Sequence, residues 1–253
     1  TQEVKLESVG RAHYFSKPIK STEPLDTDTK FNPIDLKPAL WLDANEYNGT
    51  SGTWSDRSGN QNHALRHASP KTETRKTSGL QVVRYHSKSN DYHEFKEIKN
   101  IRTVFWVMSK TSGNSGSPLC HPSAHHFYSN GNKFWHPQHT HEHIRKGSLR
   151  INGVEANAES IYPNKLAVVS LRTTGDVIAS RIGRDRNHGG NYNWNGEMGE
   201  LLIFADALKD GQIKQIENHL PSKWKVKREA DIQYAKPMAY LSFDDRNGNR
   251  YPN

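Results

Sequence analysis

The chain has 253 residues and a formal net charge of +8, from 35 Lys and Arg against 27 Asp and Glu, a length that suits one domain of roughly 200–250 residues or a smaller domain with tails. No apolar run approaches the roughly 18–20 residues that cross a bilayer, which excludes a helical membrane protein and predicts no membrane insertion. Cys120 is the only cysteine, so a disulfide framework and a thiolate zinc site are excluded as well.

The first predicted elements are an N-terminal tail or linker and a series of short strands. Residues 1–31 mix charged residues with Ser, Thr and Pro and show little periodicity, which predicts the tail. From residue 32 onward, short apolar stretches alternate with turns rich in Gly, Asn and Ser, as is typical of an antiparallel sandwich. The strands are predicted at 39–43, 82–85, 102–108, 125–128, 133–135, 148–151, 166–173, 176–182 and 198–204. After the strand at 148–151, Asn152-Gly153 predicts a type I′ hairpin turn.

One helix follows the last strand, in the segment ALKDGQIKQIENHLPSKW. Ile213, Ile216 and Leu220 are spaced to share one helix face, and Asp210 suits the positive end of the helix dipole. Pro221 predicts a break near its end. The sequence therefore predicts an all-β fold, a β-sandwich over residues 32–228 with one short C-terminal helix, followed by a connector at 229–253.

Three stretches carry a resemblance to a known family. ALWLDAN followed by TWSDRSGNQNHA is similar to the opening of bacterial LamG-like, concanavalin A-type jelly-roll domains, and GRDRN with WNGEMGELLIFADAL, a helix and SKW resembles their ending. IRTVFWVM with HEHIRKGSLRINGV resembles a subgroup found in large exported bacterial proteins. The resemblance covers about Ile34 to Trp224. It implies a concanavalin A-like jelly-roll in an extracellular or cell-surface protein, with Trp41, Trp54, Trp224 and Glu200 building the fold.

The most unusual composition lies between His121 and His143, which holds seven of the fourteen histidines. His139, His141 and His143 alternate along the chain, so on an extended segment their imidazoles face one side. Neutral imidazoles bind Zn²⁺, Cu²⁺ or Ni²⁺, which makes these three residues candidate ligands of a transition metal. The alternative interpretation is a polar, stacking surface of histidines and neighbouring aromatic residues.

Calcium is the cofactor that the resemblance implies, because LamG-like sandwiches often bind it through loop oxygens. The candidate ligands near the first loops are Asp43, Asp56, Asn60 and Asn62, with Asp185 and Asn187 farther along the chain. Asp245, Asn247 and Asn249 also have the alternating spacing of a calcium loop. In a second interpretation of that last run, MAYLSFDDRNGN opens a further sandwich domain, since it echoes ALWLDAN and SDRSGN.

Carbohydrate binding is favoured by loops that combine aromatic and polar residues. Sugar rings stack on exposed Trp or Tyr, while polar side chains hydrogen-bond the hydroxyl groups. The candidate ligand-binding residues are Trp135, His139, His141, Arg184, Arg186, Tyr192 and Trp194. The two arginines suit a sulfate or carboxylate, because a guanidinium pairs with such anions in a fork. The predicted function is a non-catalytic, lectin-like module that binds a polysaccharide or other glycan, and an anionic polysaccharide is one candidate ligand.

Two alternatives from other classes stay open. One is a structural or adhesive spacer that contacts other cell-surface proteins. The other is a metal-dependent or lyase-type polysaccharide-degrading enzyme that uses the histidine-rich segment. Glu197 and Glu200 are three residues apart, so on a regular strand they face opposite sides and do not form the carboxylate pair of a glycosidase. Nucleic acid is not a predicted partner, since no RNP or helix-turn-helix pattern is found.

Overall fold

The computed structural model describes the backbone of residues 6–9 and 12–15, and residues 31–227 except 69, 76–77, 112, 124–126 and 187–191 (of Ser89, only the backbone). The chain divides into two compact units, Thr1–Asn32 and Pro33–Asn253. In the first unit, β1 (Leu6–Val9) and β2 (Ala12–Phe15) pair as an antiparallel hairpin, which the prediction of a tail at 1–31 did not include. The predicted connector at 229–253, with the Asp245–Asn249 run, lies outside the described residues.

The second unit is built from eleven strands and one long helix. Its strands are β3 (Leu40–Asp43), β4 (Thr53–Trp54), β5 (Ala64–His67), β6 (Lys71–Thr74), β7 (Gln81–Tyr85), β8 (Tyr92–Lys110), β9 (Leu119–Cys120), β10 (Ser148–Ile151), β11 (Val154–Ala156), β12 (Ala167–Ile182) and β13 (Gly196–Phe204). Its helices are the single turn α1 (Glu142–Arg145) and α2 (Asp210–Trp224). Short 3₁₀ turns occupy Pro33–Leu36, Ala44–Glu46 and Ser87–Ser89.

These strands form one continuous antiparallel ladder in the order β11–β10–β12–β8–β13–β7–β6, with β3 on β13, β5 on β8, β4 on β5 and β9 on β12. The two long strands β8 and β12 pair along most of their length, with register shifts after Arg172 that let the sheet bend. One end of β8 pairs with β13, and the other end pairs with β5. Strands β8 and β12 therefore belong to both layers of the sandwich, and the prediction of an all-β fold is confirmed.

Side chains from the two layers meet in an aromatic cluster. The buried ring of His93, on the first part of β8, lies 4.9 Å from the Tyr47 ring and 5.4 Å from the Trp54 ring. Its Nδ1 forms a 2.7 Å hydrogen bond with the hydroxyl of Tyr85 on β7. Burial, followed by the charges of Arg66 and His67, lowers the pKa of His93 to about 3. The fold therefore keeps this imidazole neutral inside the core.

The C-terminal helix packs on the sheet as predicted, with Ile213, Ile216 and Leu220 buried. The predicted break at Pro221 is wrong, because α2 continues through the proline to Trp224. The Trp224 indole packs directly over Gly199, where a Cβ atom would come within 2.7 Å of the ring. This contact with β13 stabilises the last helical turn, although Pro221 has no backbone N–H and cannot donate a helical hydrogen bond.

The hairpin prediction is confirmed and several strand predictions need correction. Asn152 and Gly153 have φ angles of 51° and 82°, as a type I′ turn requires, and they join β10 to β11. The predicted strand at 102–108 is the second half of β8, and those at 166–173 and 176–182 are one strand, β12.

Two further strand predictions fail in the segment before α1. Residues 133–135 make only isolated bridges through Lys133. Of the strand predicted at 125–128, residues 125 and 126 lie outside the described residues, and Phe127 and Tyr128 belong to no strand. Within the described ranges, no helix combines the length and the apolar character that a membrane crossing requires.

Candidate functional site

The residues that carry the family resemblance form a buried structural cluster around Glu200. The Glu200 side chain is 0% exposed, and its Oε1 accepts a 2.7 Å hydrogen bond from Trp41 Nε1. Its Oε2 accepts hydrogen bonds from Trp224 Nε1 at 2.6 Å and from Lys223 Nζ at 2.7 Å. Burial raises the pKa of Glu200, against the opposing charge of Lys223. This carboxylate therefore joins β3, β13 and α2 and has no free edge for a ligand.

The four calcium candidates near the first loops are also occupied by protein contacts. Asp43 Oδ1 accepts from the backbone and side chain of Asn45, and its Oδ2 pairs with Arg57 at 2.9 Å and Lys223 at 2.6 Å. Burial would raise the pKa of Asp43, but the Lys223 charge and these hydrogen bonds lower it. Arg57 and Lys223 already neutralise the Asp43 carboxylate, and their positive charges would repel a calcium ion. Asp43 therefore does not fit a calcium site.

In the same loop, the side chains of Asp56, Asn60 and Asn62 form hydrogen bonds with backbone groups. Asp56 accepts hydrogen bonds from the backbone N–H groups of Trp41, Ser58 and Asn62 at 2.9–3.0 Å. The side chain of Asn62 pairs with the backbone of Lys96 in both directions. The Asn60 amide donates to Pro38 O at 3.1 Å. The oxygens of Asp56 and Asn62 are used in building the loop, and these residues do not fit a calcium ion either.

The histidine-rich segment is a turn and a helical turn, so the predicted extended geometry is wrong. His141 caps the N-terminus of α1 and His143 lies inside it, while His139 precedes it on the surface. The imidazoles pair two by two, His136 with His139 at 4.3 Å and His141 with His143 at 5.0 Å between ring centroids. In the described part of the chain, no three His, Cys, Asp or Glu side chains converge as a metal site requires. His125 and His126 lie outside the described residues.

Both tryptophans predicted to stack on sugars are buried. Trp135 is 1% exposed and Trp194 is 0% exposed, and their rings pack against Phe127 and Tyr162 respectively. Neither ring can offer a face to a sugar, so the prediction of stacking on these two residues is wrong. The physical reason is that the protein has few aliphatic residues to fill the space between its loops and the sheet, and the large rings fill it.

Three of the remaining predicted ligand residues, Arg184, Arg186 and Tyr192, lie in the segment after β12 and are at least partly exposed. Tyr192 is 52% exposed, and Arg184 lies with its guanidinium carbon 4.7 Å above the Tyr92 ring. Arg186 Nε lies 3.6 Å from the carboxylate of buried Asp185. We call Arg184, Arg186 and Tyr192 the arginine–tyrosine surface. Asn187, a predicted calcium ligand in the same loop, lies outside the described residues.

A buried frame holds the two ends of this segment. Asn193 Oδ1 accepts from the backbone N–H of Asp185 at 3.3 Å, and its Nδ2 donates to Asn90 Oδ1 at 2.9 Å. The Trp194 backbone N–H donates to Gly183 O at 2.8 Å. These bonds join positions 183–185 to 193–194, so the two ends of the segment that carries the arginines and Tyr192 are anchored to each other.

Tyr128 connects this surface to the first histidine pair. Its ring centroid lies 5.9 Å from that of His136 and 6.2 Å from that of His139. Burial raises the pKa of Tyr128, a hydrogen bond with Ser115 opposes this, and the charges of Arg186, Asp185 and Tyr192 act on it as well. His139 is therefore the one predicted histidine that lies toward the arginine–tyrosine surface, whereas His141 is used as a helix cap.

A second surface feature was not predicted from the sequence. Lys110, at the end of β8, lines a depression of about 380 Å³ together with Thr111, Gly113, Asn132 and residues 161–164. The lysine is 5% exposed, and burial lowers its pKa to about 7. The alternation of Trp106, Met108 and Lys110 along one strand face is the sequence signal that places this lysine in the interior.

No protein-family model matches the chain, and no curated protein matches it either. The function has to be inferred from the chemistry of the two surface features themselves, the arginine–tyrosine surface and the depression at Lys110.

Proposed function

We propose that the protein is a non-catalytic carbohydrate-binding module that recognises an anionic polysaccharide through the arginine–tyrosine surface. One observation carries the proposal. Among the Phe, Tyr and Trp side chains that the structure describes, Tyr192 is the only one that is exposed, and it shares one anchored loop with two arginines. An exposed ring beside guanidinium groups is the combination that binds the face of a sugar and its anionic substituent at once.

Arg184 is partly exposed, and its buried Nε has no hydrogen-bond partner in the described part of the chain. Its guanidinium stacks over Tyr92, whose ring also lies nearly parallel to the His67 ring at 4.3 Å and 5.4 Å from the Arg181 guanidinium carbon. No residue within the described ranges accepts a hydrogen bond from Arg184 or forms an ion pair with it. Stacking on an aromatic ring orients a guanidinium and leaves its hydrogen-bonding edge for a sulfate or carboxylate.

The charge and the family resemblance support the same ligand class. The chain carries a net charge of +8, which favours an acidic polymer over a neutral one. The resemblance to LamG-like domains favours an extracellular or cell-surface location, where such polysaccharides are found. A sulfated or uronic-acid polysaccharide is therefore the proposed ligand. Calcium is not needed in this proposal, because the arginines supply the charge.

The first experiment is a binding screen against sulfated, uronic-acid and neutral polysaccharides, with calcium and then with EDTA, followed by titration of the best ligand. We expect Arg184→Ala to weaken binding by about 10- to 100-fold, as the loss of a charge-assisted hydrogen bond predicts. Tyr192→Ala should weaken it about 3- to 10-fold, because a stacking face is removed. Tyr192→Phe, which keeps the ring, should bind nearly as well as the parent protein.

Lys214→Ala is the matched control, since Lys214 is an exposed cation on α2. It removes the same charge and should leave the affinity nearly unchanged. Equal affinities for Arg184→Ala and Lys214→Ala would contradict the proposal, and so would binding that disappears in EDTA. If no polysaccharide binds, the proposed function is wrong and a spacer that contacts other proteins becomes the leading interpretation.

A further inference from the structure

Lys110 brings a charged group into an uncharged environment. Its Nζ donates hydrogen bonds to Ser129 Oγ at 3.0 Å and to the carbonyl oxygen of Gly131. It also lies 5.0 Å from the centroid of the Tyr162 ring and 5.5 Å from that of Trp194. All four neighbours are neutral, since burial holds the pKa of the Tyr162 hydroxyl well above its ordinary value.

This ammonium has no counter-ion in the part of the chain that the structure describes. None of the ion pairs there includes Lys110, whereas Lys223, which is also largely buried, pairs with both Asp43 and Glu200. Two of the three N–H bonds of Lys110 have protein oxygens as acceptors. A buried, unpaired charge is costly, which is why burial lowers the pKa of Lys110 to about 7. An anion placed beside it would remove that cost.

The depression beside Lys110 has the lining of a sugar site. Thr111, Asn132 and Asn164 supply a hydroxyl and two amides, which are the groups that hydrogen-bond sugar hydroxyls. Ile161 is 59% exposed and, with Pro163, gives the depression an apolar side. Its volume of about 380 Å³ lies in the range of small-molecule pockets.

The lining segments are held in place by backbone hydrogen bonds. The Lys110 N–H donates to Pro163 O at 2.8 Å, and the Tyr162 N–H donates to Asn132 O at 2.8 Å. These bonds hold the backbones of Lys110, Asn132 and residues 162–163 together without a ligand, which lowers the entropic cost of binding.

We propose that this depression, the Lys110 pocket, binds one carboxylate-bearing sugar unit, with the Lys110 ammonium as counter-ion of the carboxylate. The choice of a sugar rests on the proposed glycan-binding function, and the charge requirement rests on Lys110 alone. The Lys110 pocket binds one acidic sugar unit, whereas the arginine–tyrosine surface binds a polysaccharide. The two sites use different residues and can be tested separately.

The test is a titration with glucuronate, with glucose as the neutral match, followed by NMR of the tryptophan indole N–H signals and by calorimetry. Glucuronate should shift the Trp194 signal, which lies beside Lys110, and leave that of Trp224 unchanged. At pH 8 the free amine is mostly neutral, so binding should take up about one proton and the heat should depend on the buffer. Glucose should bind at least about 10-fold more weakly, since it lacks the charge.

Variants test the contribution of each part of the pocket. Lys110→Met should weaken glucuronate binding at least about 10-fold and abolish the proton uptake. Asn164→Ala and Ile161→Ala change exposed residues, so they report on the pocket even if Lys110→Met fails to fold, and each should weaken binding several-fold. Val154→Ala, at an exposed apolar residue of β11, is the control for Ile161→Ala. Lys214→Ala, which removes an exposed cation on α2 outside both sites, should bind glucuronate as well as the parent protein.

The proposal is overturned if glucuronate does not bind, if glucose binds equally well, or if no proton is taken up at pH 8. It is also overturned if folded Lys110→Met retains the affinity of the parent protein. These results are independent of the polysaccharide screen. Polysaccharide binding without glucuronate binding refutes the Lys110 pocket alone, and glucuronate binding with proton uptake but no polysaccharide binding refutes the arginine–tyrosine surface alone.

Discussion

Glu200→Ala is expected to lower the free energy of unfolding by about 3–5 kcal/mol, the usual cost of removing one partner from a buried ionic network. The substitution leaves the indole N–H groups of Trp41 and Trp224 without acceptors in the core, because both donate to this carboxylate. It also leaves Lys223 with Asp43 as its remaining partner. Urea denaturation followed by tryptophan fluorescence measures the change.

Two further variants show whether the network itself matters. Glu200→Gln keeps the shape and one acceptor oxygen, so it should cost less than the alanine variant. Glu46→Ala is the matched control, because Glu46 is an exposed carboxylate that pairs with Arg57 at 3.2 Å. Such exposed pairs contribute about 0–1 kcal/mol. A similar loss for Glu200→Ala and Glu46→Ala would show that the buried cluster does not stabilise the fold.

The second large effect is a loss of stability in acid caused by His93. Its pKa is lowered to about 3, whereas an unfolded histidine titrates near 6.5. Between these values the unfolded state binds one more proton than the folded state, so stability falls as the pH falls through this window. For His93 alone, the loss between pH 7 and pH 4.5 should be about 2–3 kcal/mol.

The comparison is best made in a Tyr85→Phe background, since Tyr85 would otherwise lose its hydrogen-bond partner. Between pH 7 and pH 4.5, the free energy of unfolding of Tyr85→Phe should fall by about 2–3 kcal/mol more than that of Tyr85→Phe/His93→Phe, because the double variant lacks the buried imidazole. Chemical denaturation at both pH values gives the difference, and other titrating groups cancel. A difference that is independent of pH would mean that His93 is not held neutral in the core.

The sandwich was predictable where local pattern and tertiary packing agree. The Asn152-Gly153 turn requires positive φ at two successive positions, which only a few residue pairs allow, so its prediction was accurate. The first half of β8 was missed because Tyr92–Lys99 carries several charged residues on its outer side. The helix prediction failed at Pro221 because local propensity argued for a break while the packing of Trp224 on Gly199 decided the outcome.

The candidate site was predictable only in part, since residue type does not determine exposure. Arg184, Arg186 and Tyr192 were grouped because they are close in sequence, and their shared role stays a prediction. Trp194, only two residues beyond Tyr192, is buried, and nothing in the local sequence distinguishes the two rings. Lys110 was missed because a lysine that ends an apolar strand is normally a solvent-facing residue. Its neutral partners Ser129 and Gly131 come from a distant segment and become visible only in the structure.

The contact between Lys223 and Asp43 has a consequence for synthesis of the protein. These residues are 180 positions apart, yet they close the same buried cluster. A ribosome-bound chain cannot complete this core until α2 has emerged. Until then, the surface of β3 and β13 that Trp224 covers stays exposed. Folding that depends on such distant pairings is slow. A chain truncated before Trp224 is therefore expected to need a chaperone or to aggregate, even though every strand of the sandwich has been made.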